Sequence, residues 1–370
     1  MILGMPWLTA HNPEINWEMG EVKMLRCPPW CGKQITIKQQ EAKVEDGKDL
    51  RWTMEDRERE EEAIEDRRKV EDMVPKRFHK WLKVFRKQES EWMPVRKTWD
   101  HAIDLQEEFV PRKDRIYPLS RIEREEVQAF MDNQLKKGYI QLSKSPQTSP
   151  VMFVPKKDGK RRIVQDYRYV NKFTVKNSYP LPLISDLVDN MGTKRVFTKM
   201  DLRWGYNNIR IKESDKWKAA FTTHIGSFKP VVMFFGLTNS PATFQTMMNN
   251  IFRDLINKGD VATFIDDVLV GTETEEGHDK LVEEILRRLE EHDLYVKPEK
   301  CEWKVREVGF LGVVIGPDGI KMEKEKVRGV LEWLTPKCIK DVQKFLGLVD
   351  YYRRFVKDFA EIARPMHRLV

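Results

Sequence analysis

The stretch Val261-Ala262-Thr263-Phe264-Ile265-Asp266-Asp267-Val268-Leu269-Val270 places two adjacent carboxylates inside an apolar run. The apolar and β-branched residues on both sides predict a pair of strands with the aspartates between them. Apolar flanks desolvate the carboxylates, and two ionised neighbours repel each other, so the pair needs protons or a cation. Taken alone, the pair also has a simpler interpretation, an ordinary hairpin turn with Asp at its tip.

A third carboxylate, Asp201, ends a strand predicted over residues 196–202 and lies 65 residues before Asp266. Between them, Ser240-Pro241 predicts a helix start that returns the chain, so that the two strand ends could lie together. Three converging carboxylates suit Mg²⁺, and two such ions can activate a hydroxyl and stabilise a departing pyrophosphate. The three aspartates therefore favour nucleotidyl transfer or, by the same logic, a nuclease.

A basic hairpin is predicted upstream, with strands at 151–154 and 161–164 around the turn Lys157-Asp158-Gly159-Lys160. Its cationic side chains could bind the phosphates of an incoming triphosphate, because positioning and electrostatics dominate phosphoryl transfer. A solvated basic loop is the alternative interpretation.

Composition restricts the class of protein. The chain has 370 residues, of which 34% are charged and 40% hydrophobic, enough for a large core. Apolar runs fall short of the roughly 18 residues of a membrane span, and four cysteines are too few for a disulfide scaffold. Residues 101–370 carry 46 basic against 39 acidic groups and so hold the net charge of +7. This bias indicates a polyanionic partner or, equally, ordinary solubility.

Eight short motifs occur in order along the chain. They are Ser145-Pro146-Gln147-Thr148-Ser149-Pro150, Lys156-Lys157-Asp158-Gly159, Gln165-Asp166-Tyr167-Arg168, Tyr179-Pro180-Leu181-Pro182, Met200-Asp201-Leu202, Phe235-Gly236-Leu237, Asn239-Ser240-Pro241-Ala242-Thr243-Phe244-Gln245 and Phe264-Ile265-Asp266-Asp267. Together they resemble the reverse transcriptase of gypsy-type LTR retrotransposon Pol polyproteins, over residues 74–370. Residues 2–8 resemble the closing segment of the retroelement aspartic protease.

This resemblance implies an α+β right-hand polymerase fold, with fingers, palm and thumb and an antiparallel palm sheet. It implies that Asp201, Asp266 and Asp267 are the catalytic, metal-binding triad, with a further backbone ligand from Leu202. The cofactor would be two Mg²⁺ ions, for which Mn²⁺ can substitute. The partners would be deoxynucleoside triphosphates and an RNA or DNA template-primer duplex, without a membrane.

The same resemblance implies a nucleotide site and a primer-holding hairpin. Tyr206 would block a ribose 2′-hydroxyl and so select deoxynucleotides. Leu311 and Gly312 would hold the primer, although core packing explains Leu311 equally well, and the thumb would follow from Lys324. The remaining residues implied for the nucleotide site are Lys157, Arg162, Arg168, Phe235 and Gly236.

The expected layout has five parts. A protease remnant covers residues 1–20, a charged linker 21–73, an N-terminal extension with the start of the fingers 74–136, fingers and palm 137–316, and the thumb with the start of a connection 317–370. The linker is identified by its composition, since 16 of residues 51–72 are charged. Without an Asp-Thr/Ser-Gly motif or residues beyond the thumb, we expect neither proteolysis nor ribonuclease H activity. An intracellular location is expected, in a cytoplasmic retroelement particle, with the nucleus as the alternative.

Two other functions compete with polymerisation. A degenerate retroelement fragment would bind nucleic acid in a salt-sensitive way without turnover. A metal nuclease with the same triad would cleave the template in Mg²⁺ without added nucleotides, but it would not need Tyr206 and Lys157.

Overall fold

The computed structural model describes residues 68–91, 93–155 and 161–370, and the backbone of three short strands near the N-terminus. The chain divides into two compact units, Met1–Glu61 and Glu62–Val370. In the first unit the three strands form an antiparallel sheet. They are β1 (Glu14–Asn16), β2 (Glu21–Lys23) and β3 (Thr36–Ile37). The rest of the expected protease remnant and nearly all of the charged linker lie outside the described residues.

A four-stranded antiparallel sheet forms the palm of the second unit. Because side chains alternate along a strand, Val268 and Val270 join one core cluster with two long helices, while Leu269 joins a second cluster with a short helix. The strands, in spatial order, are β10 (Val261–Phe264), β11 (Asp267–Thr272), β7 (Val196–Asp201) and β12 (Glu302–Val305). The helices are α3 (Ile184–Met191), α4 (Ser240–Asn257) and α5 (His278–Glu291).

A five-stranded sheet contains the predicted basic hairpin, and two of its strands lie between palm strands β7 and β10 in sequence. Its strands, in spatial order, are β4 (Ile140–Leu142), β9 (Gly226–Pro230), β8 (Phe221–Thr223), β5 (Ser149–Pro155) and β6 (Arg161–Gln165). Helix α1 (Arg121–Lys136) packs on it through Val127 and Met131, and begins with the capping box of Ser120 and Glu123 that the sequence predicts. A short helix, α2 (Arg168–Phe173), follows β6.

The C-terminal part contains a three-stranded sheet and three helices. The run 308–315, predicted as one strand, is in fact two strands, because Leu311 and Gly312 have φ of +50° and +84° and form a turn. The sheet contains β13 (Val308–Phe310), β14 (Val313–Gly316) and β15 (Gly319–Met322). The helices are α6 (Lys324–Leu331), α7 (Ile339–Tyr351) and α8 (Phe359–His367).

Helical spacing in the sequence predicts helices over 324–334 and 339–356, and Ser240-Pro241 predicts Ser240 as a helix cap; the structure differs at each of these three boundaries. Helix α6, expected to reach residue 334, ends at Leu331, with Glu332 as its C-cap residue. Helix α7, expected to reach 356, ends at Tyr351 because Tyr352 and Phe355 turn onto the core beside the β13–β14 turn. Helix α4 begins at Ser240, so Asn239 occupies the N-cap position, and its side chain makes no capping hydrogen bond.

Short 3₁₀ helices connect these elements. They cover Lys76–Phe85, Gln88–Ser90, Gly205–Asn208, Glu213–Ala219, Pro298–Lys300 and Arg353–Phe355. Within the part of the chain that the structure describes, no helix combines the length and the apolar character that a membrane crossing requires.

The palm sheet contains a buried histidine that makes stability dependent on pH. The ring nitrogens of His278 lie 2.8 Å from the hydroxyls of Thr198 on β7 and Thr272 on β11. Burial lowers the pKa of His278 to about 4. The unfolded chain therefore takes up this proton first, and stability falls as the pH drops from about 6.5 towards 4.

We expect the His278 contribution to cost the wild-type chain about 2 kcal/mol between pH 7.5 and pH 5. The His278→Gln variant should lose this part of the pH dependence in urea unfolding. The control is His224→Gln, at an exposed histidine. An equal pH dependence in wild type and His278→Gln would contradict the assignment.

Candidate active site

The ends of two palm strands bring the three aspartates together. Asp201 is the last residue of β7 and Asp267 the first of β11, and the two are directly paired across the sheet. Asp266 precedes Asp267 in the turn between β10 and β11, and its carbonyl accepts a 2.8 Å hydrogen bond from the Leu202 amide. The predicted convergence of strand ends is therefore present.

The turn that carries Asp266 is held by Gln245 of helix α4. Ile265 has a φ of +54°, a backbone conformation that costs about 1–3 kcal/mol for a β-branched residue. The fully buried Gln245 side chain accepts a 2.8 Å hydrogen bond from the Ile265 amide and donates to the Thr263 carbonyl at 3.1 Å. These contacts fix the turn from the helix beneath it.

Two lysines bind the Asp201 carboxylate. Lys297 donates to one carboxylate oxygen and Lys300 to the other, the latter at 2.9 Å. Burial would raise the pKa of Asp201, but the two ammonium groups outweigh it and lower that pKa. Lys297 also donates to the Leu202 carbonyl at 3.2 Å. The same ammonium group therefore binds both Asp201 and the carbonyl that is expected to be a metal ligand.

For the other two aspartates, the nearby lysines do not outweigh burial. Burial raises the pKa of Asp266 and of Asp267, and the negative charge of Asp201 adds to both shifts. For Asp267, the ammonium group of Lys199 on the neighbouring strand offsets part of the increase. The pair is thus a site of buried carboxylates whose ionised form the nearby lysines stabilise only in part.

An aromatic cluster borders the aspartates. The Tyr206 ring contacts Phe235 edge-on at 4.9 Å between centroids and Phe244 at 5.8 Å. Burial raises the pKa of Tyr206 to about 12, with a smaller contribution from Asp266. At Gly205 an added methyl group would lie 3.0 Å from the Phe244 ring and 3.6 Å from Cβ of Asp266. Tyr206 therefore stands beside the triad, with its ring fixed by two other rings.

The finger arginines lie in two different environments. Arg162 on β6 places its guanidinium 4.8 Å from the centroid of Phe235, and among the described residues it has no ion-pair partner. Arg168 is bound to Asp166 at 2.6 Å, and this pairing lowers the pKa of Asp166 to about 2. Arg162 thus joins the Tyr206 cluster, whereas Arg168 braces the start of α2. Lys157 lies outside the described residues.

The remaining predicted residues belong to two turns. Gly236 has a φ of +105°, and a methyl group there would lie 3.2 Å from the Gln165 carbonyl, so the position favours glycine. Leu311 and Gly312 form the β13–β14 turn. Lys199, on palm strand β7, contacts the same hairpin, because its ammonium group donates to the Gly309 carbonyl at 2.7 Å.

Comparison with protein families identifies the fold around this site. Residues 154–315, which contain all three aspartates, match the family described as "Reverse transcriptase (RNA-dependent DNA polymerase)". The chain contains a reverse transcriptase domain.

The domain has retrotransposon relatives. A retrovirus-related Pol polyprotein from transposon 297 of Drosophila melanogaster is 36% identical over 261 residues, covering 69% of this chain and 25% of the relative. The transposon Tf2-3 polyprotein of Schizosaccharomyces pombe is 34% identical over 271 residues, covering 73% and 20%. The chain thus spans about a quarter or less of the length of these relatives.

Solved structures confirm the right-hand polymerase fold. The foamy viral protease-reverse transcriptase in complex with RNA/DNA hybrid has a TM-score of 0.70 and 26% identity, covering 85% of this chain and 42% of that one. A second structure, of the foamy viral protease-reverse transcriptase dRH in complex with dsDNA, has a TM-score of 0.72 and 26% identity. The match covers 88% of this chain and 57% of that one. The expected α+β fold with an antiparallel palm sheet is therefore correct.

The reverse transcriptase site has the donor chemistry for a divalent metal, but its side chains are not assembled around one. Within residues 68–91, 93–155 and 161–370, no group of three His, Cys, Asp or Glu side chains is arranged to hold a metal ion. Asp201 instead binds its two lysines. The buried Asp266 and Asp267 supply the carboxylate oxygens that Mg²⁺ prefers, and burial together with the neighbouring carboxylates raises the pKa of both. The donor set fits a metal that replaces the lysines on Asp201.

Sequence reasoning missed the lysines and Gln245 as parts of the reverse transcriptase site. Lys297 and Lys300 lie in an ordinary charged segment about 30 residues after the aspartates, and no spacing rule connects them to Asp201. Gln245 lay inside a quoted motif, but its contact with the Ile265 amide depends on tertiary packing. A buried amide on an otherwise apolar helix face was the signal that could have indicated it.

Proposed function

We propose that this chain catalyses RNA-directed DNA synthesis, the addition of deoxynucleoside monophosphates to a primer 3′-hydroxyl on an RNA or DNA template. The observation that carries the proposal is the pairing of Asp201 with Asp267 across the palm sheet, with Asp266 in the adjoining turn. Strand ends held in register give a rigid base for reacting groups.

In this proposal the three aspartates and the Leu202 carbonyl would hold two Mg²⁺ ions, with Mn²⁺ as a substitute. When bound, these ions lower the pKa of the attacking hydroxyl and neutralise charge on the departing pyrophosphate. The chain's own residues position the reactants. Gln245 keeps the Asp266 turn in its strained conformation, and Lys297 and Lys300 would have to release the Asp201 carboxylate for it to hold a metal ion.

The nucleotide would lie between the fingers and the triad. Arg162 is free of ion pairs among the described residues, so its charge is available to a triphosphate, and Lys157 would act beside it. Tyr206, fixed by Phe235, would meet the sugar and exclude a 2′-hydroxyl. Gly236 would shape the same pocket, and Arg168 would support the fingers.

The proposed nucleic-acid partner is a template-primer duplex. Two observations support it: the basic excess within residues 101–370, and the foamy viral structures, which are complexes with RNA/DNA hybrid and with dsDNA. Leu311 and Gly312 would hold the primer end. The finer assignments remain part of the proposal: a gypsy-type element, a protease remnant at residues 1–20 followed by the charged linker, and an intracellular particle as location.

A second candidate is a nucleic-acid-binding fragment without turnover. The ion pairs of Asp201 with Lys297 and Lys300 favour it, because they occupy a carboxylate that a metal would need. Primer extension on poly(rA)/oligo(dT) with Mg²⁺ and dTTP separates the two. Polymerisation predicts primer elongation, whereas salt-sensitive duplex binding with no elongation would establish the second candidate.

Removal of one lysine should strengthen metal binding. Lys300 is half exposed and its ion pair with Asp201 is worth about 0.2–1 kcal/mol, so Lys300→Ala is expected to lower the Mg²⁺ dissociation constant about two- to fivefold. Calorimetric titration of Mg²⁺ measures this. Lys280→Ala, which removes the same charge from an exposed position of α5, is the control. Unchanged or weaker Mg²⁺ binding in Lys300→Ala would contradict displacement of lysine by metal.

A further inference from the structure

The β13–β14 turn is held by side chains from two directions. Tyr351 donates its hydroxyl to the Leu311 carbonyl, and Tyr352 donates to the Gly312 carbonyl at 3.2 Å. Both tyrosines stand at the C-terminal end of helix α7, about 40 residues later in the chain. From the other direction, Lys199 binds the Gly309 carbonyl of the same hairpin.

The two tyrosines form a rigid unit. Their rings contact each other edge-on at 4.8 Å between centroids. Tyr352 is almost fully buried, in the cluster that also contains Phe310. A methyl group added at Gly312 would lie 3.0 Å from the Tyr352 hydroxyl oxygen. The turn and the helix end are therefore fitted to each other closely.

Core packing alone does not account for the two hydroxyls. A phenylalanine would fill the space of the Tyr352 ring equally well, and water could satisfy carbonyls at a partly exposed turn. Two consecutive residues instead direct their hydroxyls to two consecutive carbonyls, both in residues with positive φ. This arrangement fixes the orientation of the turn as well as its burial.

The hairpin also connects the thumb helix to the catalytic strand. Lys199 lies on β7 two residues before Asp201, so one hairpin is tied at Gly309 to the strand of the triad and at its turn to α7. A displacement of α7 would therefore move the turn relative to Asp201.

We infer that Tyr352, assisted by Tyr351, is a positioning residue that sets the β13–β14 turn relative to the triad and so aligns the primer end. This inference rests on the proposed function, in which Leu311 and Gly312 hold the primer. The tyrosines take no part in bond making. They transmit the position of α7 to the reacting hydroxyl through two hydrogen bonds.

The test uses the full chain with Tyr352→Phe, Tyr351→Phe and the double variant. The control is Tyr139→Phe, which removes a hydroxyl bound to the Ser90 carbonyl beside the fingers. Single-turnover incorporation should slow about three- to tenfold in Tyr352→Phe and more in the double variant, with an unchanged dissociation constant for dTTP. A primer with 2-aminopurine at its 3′ end should fluoresce more strongly in the variant complex, because its terminal base is less well held.

The outcomes distinguish this inference from the proposed function. An active wild-type enzyme with equal rates and equal primer-end fluorescence in Tyr352→Phe overturns the inference alone. A fall in rate that Tyr139→Phe reproduces, or that follows a lower melting temperature, also overturns it. A wild-type chain without incorporation overturns the proposed function and, with it, the alignment role.

Discussion

Replacement of Asp266 by Asn is expected to reduce nucleotide incorporation at least about 10³-fold. Two-ion stabilisation of a phosphoryl-transfer transition state is worth several kcal/mol, and each 1.36 kcal/mol is a factor of ten in rate. The substitution keeps the size of the side chain, and Gln245 holds the preceding residue, Ile265, through its backbone amide. The loss should therefore come from charge rather than from unfolding. Single-turnover primer extension with saturating dTTP measures it.

The matched control is Asp260→Asn, at the other end of the same β10–β11 hairpin. There the Asp260 carboxylate binds Lys194 at 3.1 Å, away from the triad. This variant is expected to retain activity within a few-fold of wild type. Asp266→Asn activity within about tenfold of wild type would contradict the site assignment, and so would an equal loss in both variants.

The second large effect is expected on the choice of sugar. Tyr206→Ala should raise the relative use of UTP over dTTP by about 10- to 100-fold. In the wild type, the 2′-hydroxyl of UTP would have to displace the Tyr206 ring, and forcing an extra atom into a packed site costs about 1–3 kcal/mol. The expectation depends on the rigidity of the ring, which Phe235 and Phe244 hold edge-on from two directions. The ratio of kcat/KM values for the two nucleotides is the measurement.

Tyr206→Phe separates the ring from its hydroxyl. This variant keeps the aromatic contacts, so it should discriminate against UTP as wild type does. If Tyr206→Ala keeps the wild-type ratio, Tyr206 does not select the sugar. If Tyr206→Phe loses discrimination as Tyr206→Ala does, the hydroxyl rather than the ring is responsible.

Local sequence patterns were sufficient for three of the four palm strands, β7, β10 and β11, but not for β12. The apolar residues around Asp266 and Asp267 predicted two strands, and alternation along β11 places Val268 and Leu269 on opposite faces as a sheet requires. The capping box of Ser120 and Glu123 was equally clear, because both partners lie within one helical turn.

Contacts between distant segments could not be predicted in this way. Lys297 and Lys300, which bind Asp201, lie in a segment whose composition shows only that it is polar. Their contact with Asp201 depends on the path of the chain after α5, which local patterns do not predict. The end of α7 shows the same limitation. Helical spacing continues past Tyr351, but packing of Tyr352 beside the β13–β14 turn ends the helix there.

The most direct test of the account is single-nucleotide incorporation on an RNA template by the full chain in Mg²⁺. Each of the four dNTPs is supplied alone, opposite each of the four template bases in turn. The account predicts extension by one nucleotide with the complementary dNTP only, and no extension by Asp266→Asn. Failure of the wild-type chain to extend the primer with any dNTP, or extension that ignores the template base, would contradict it.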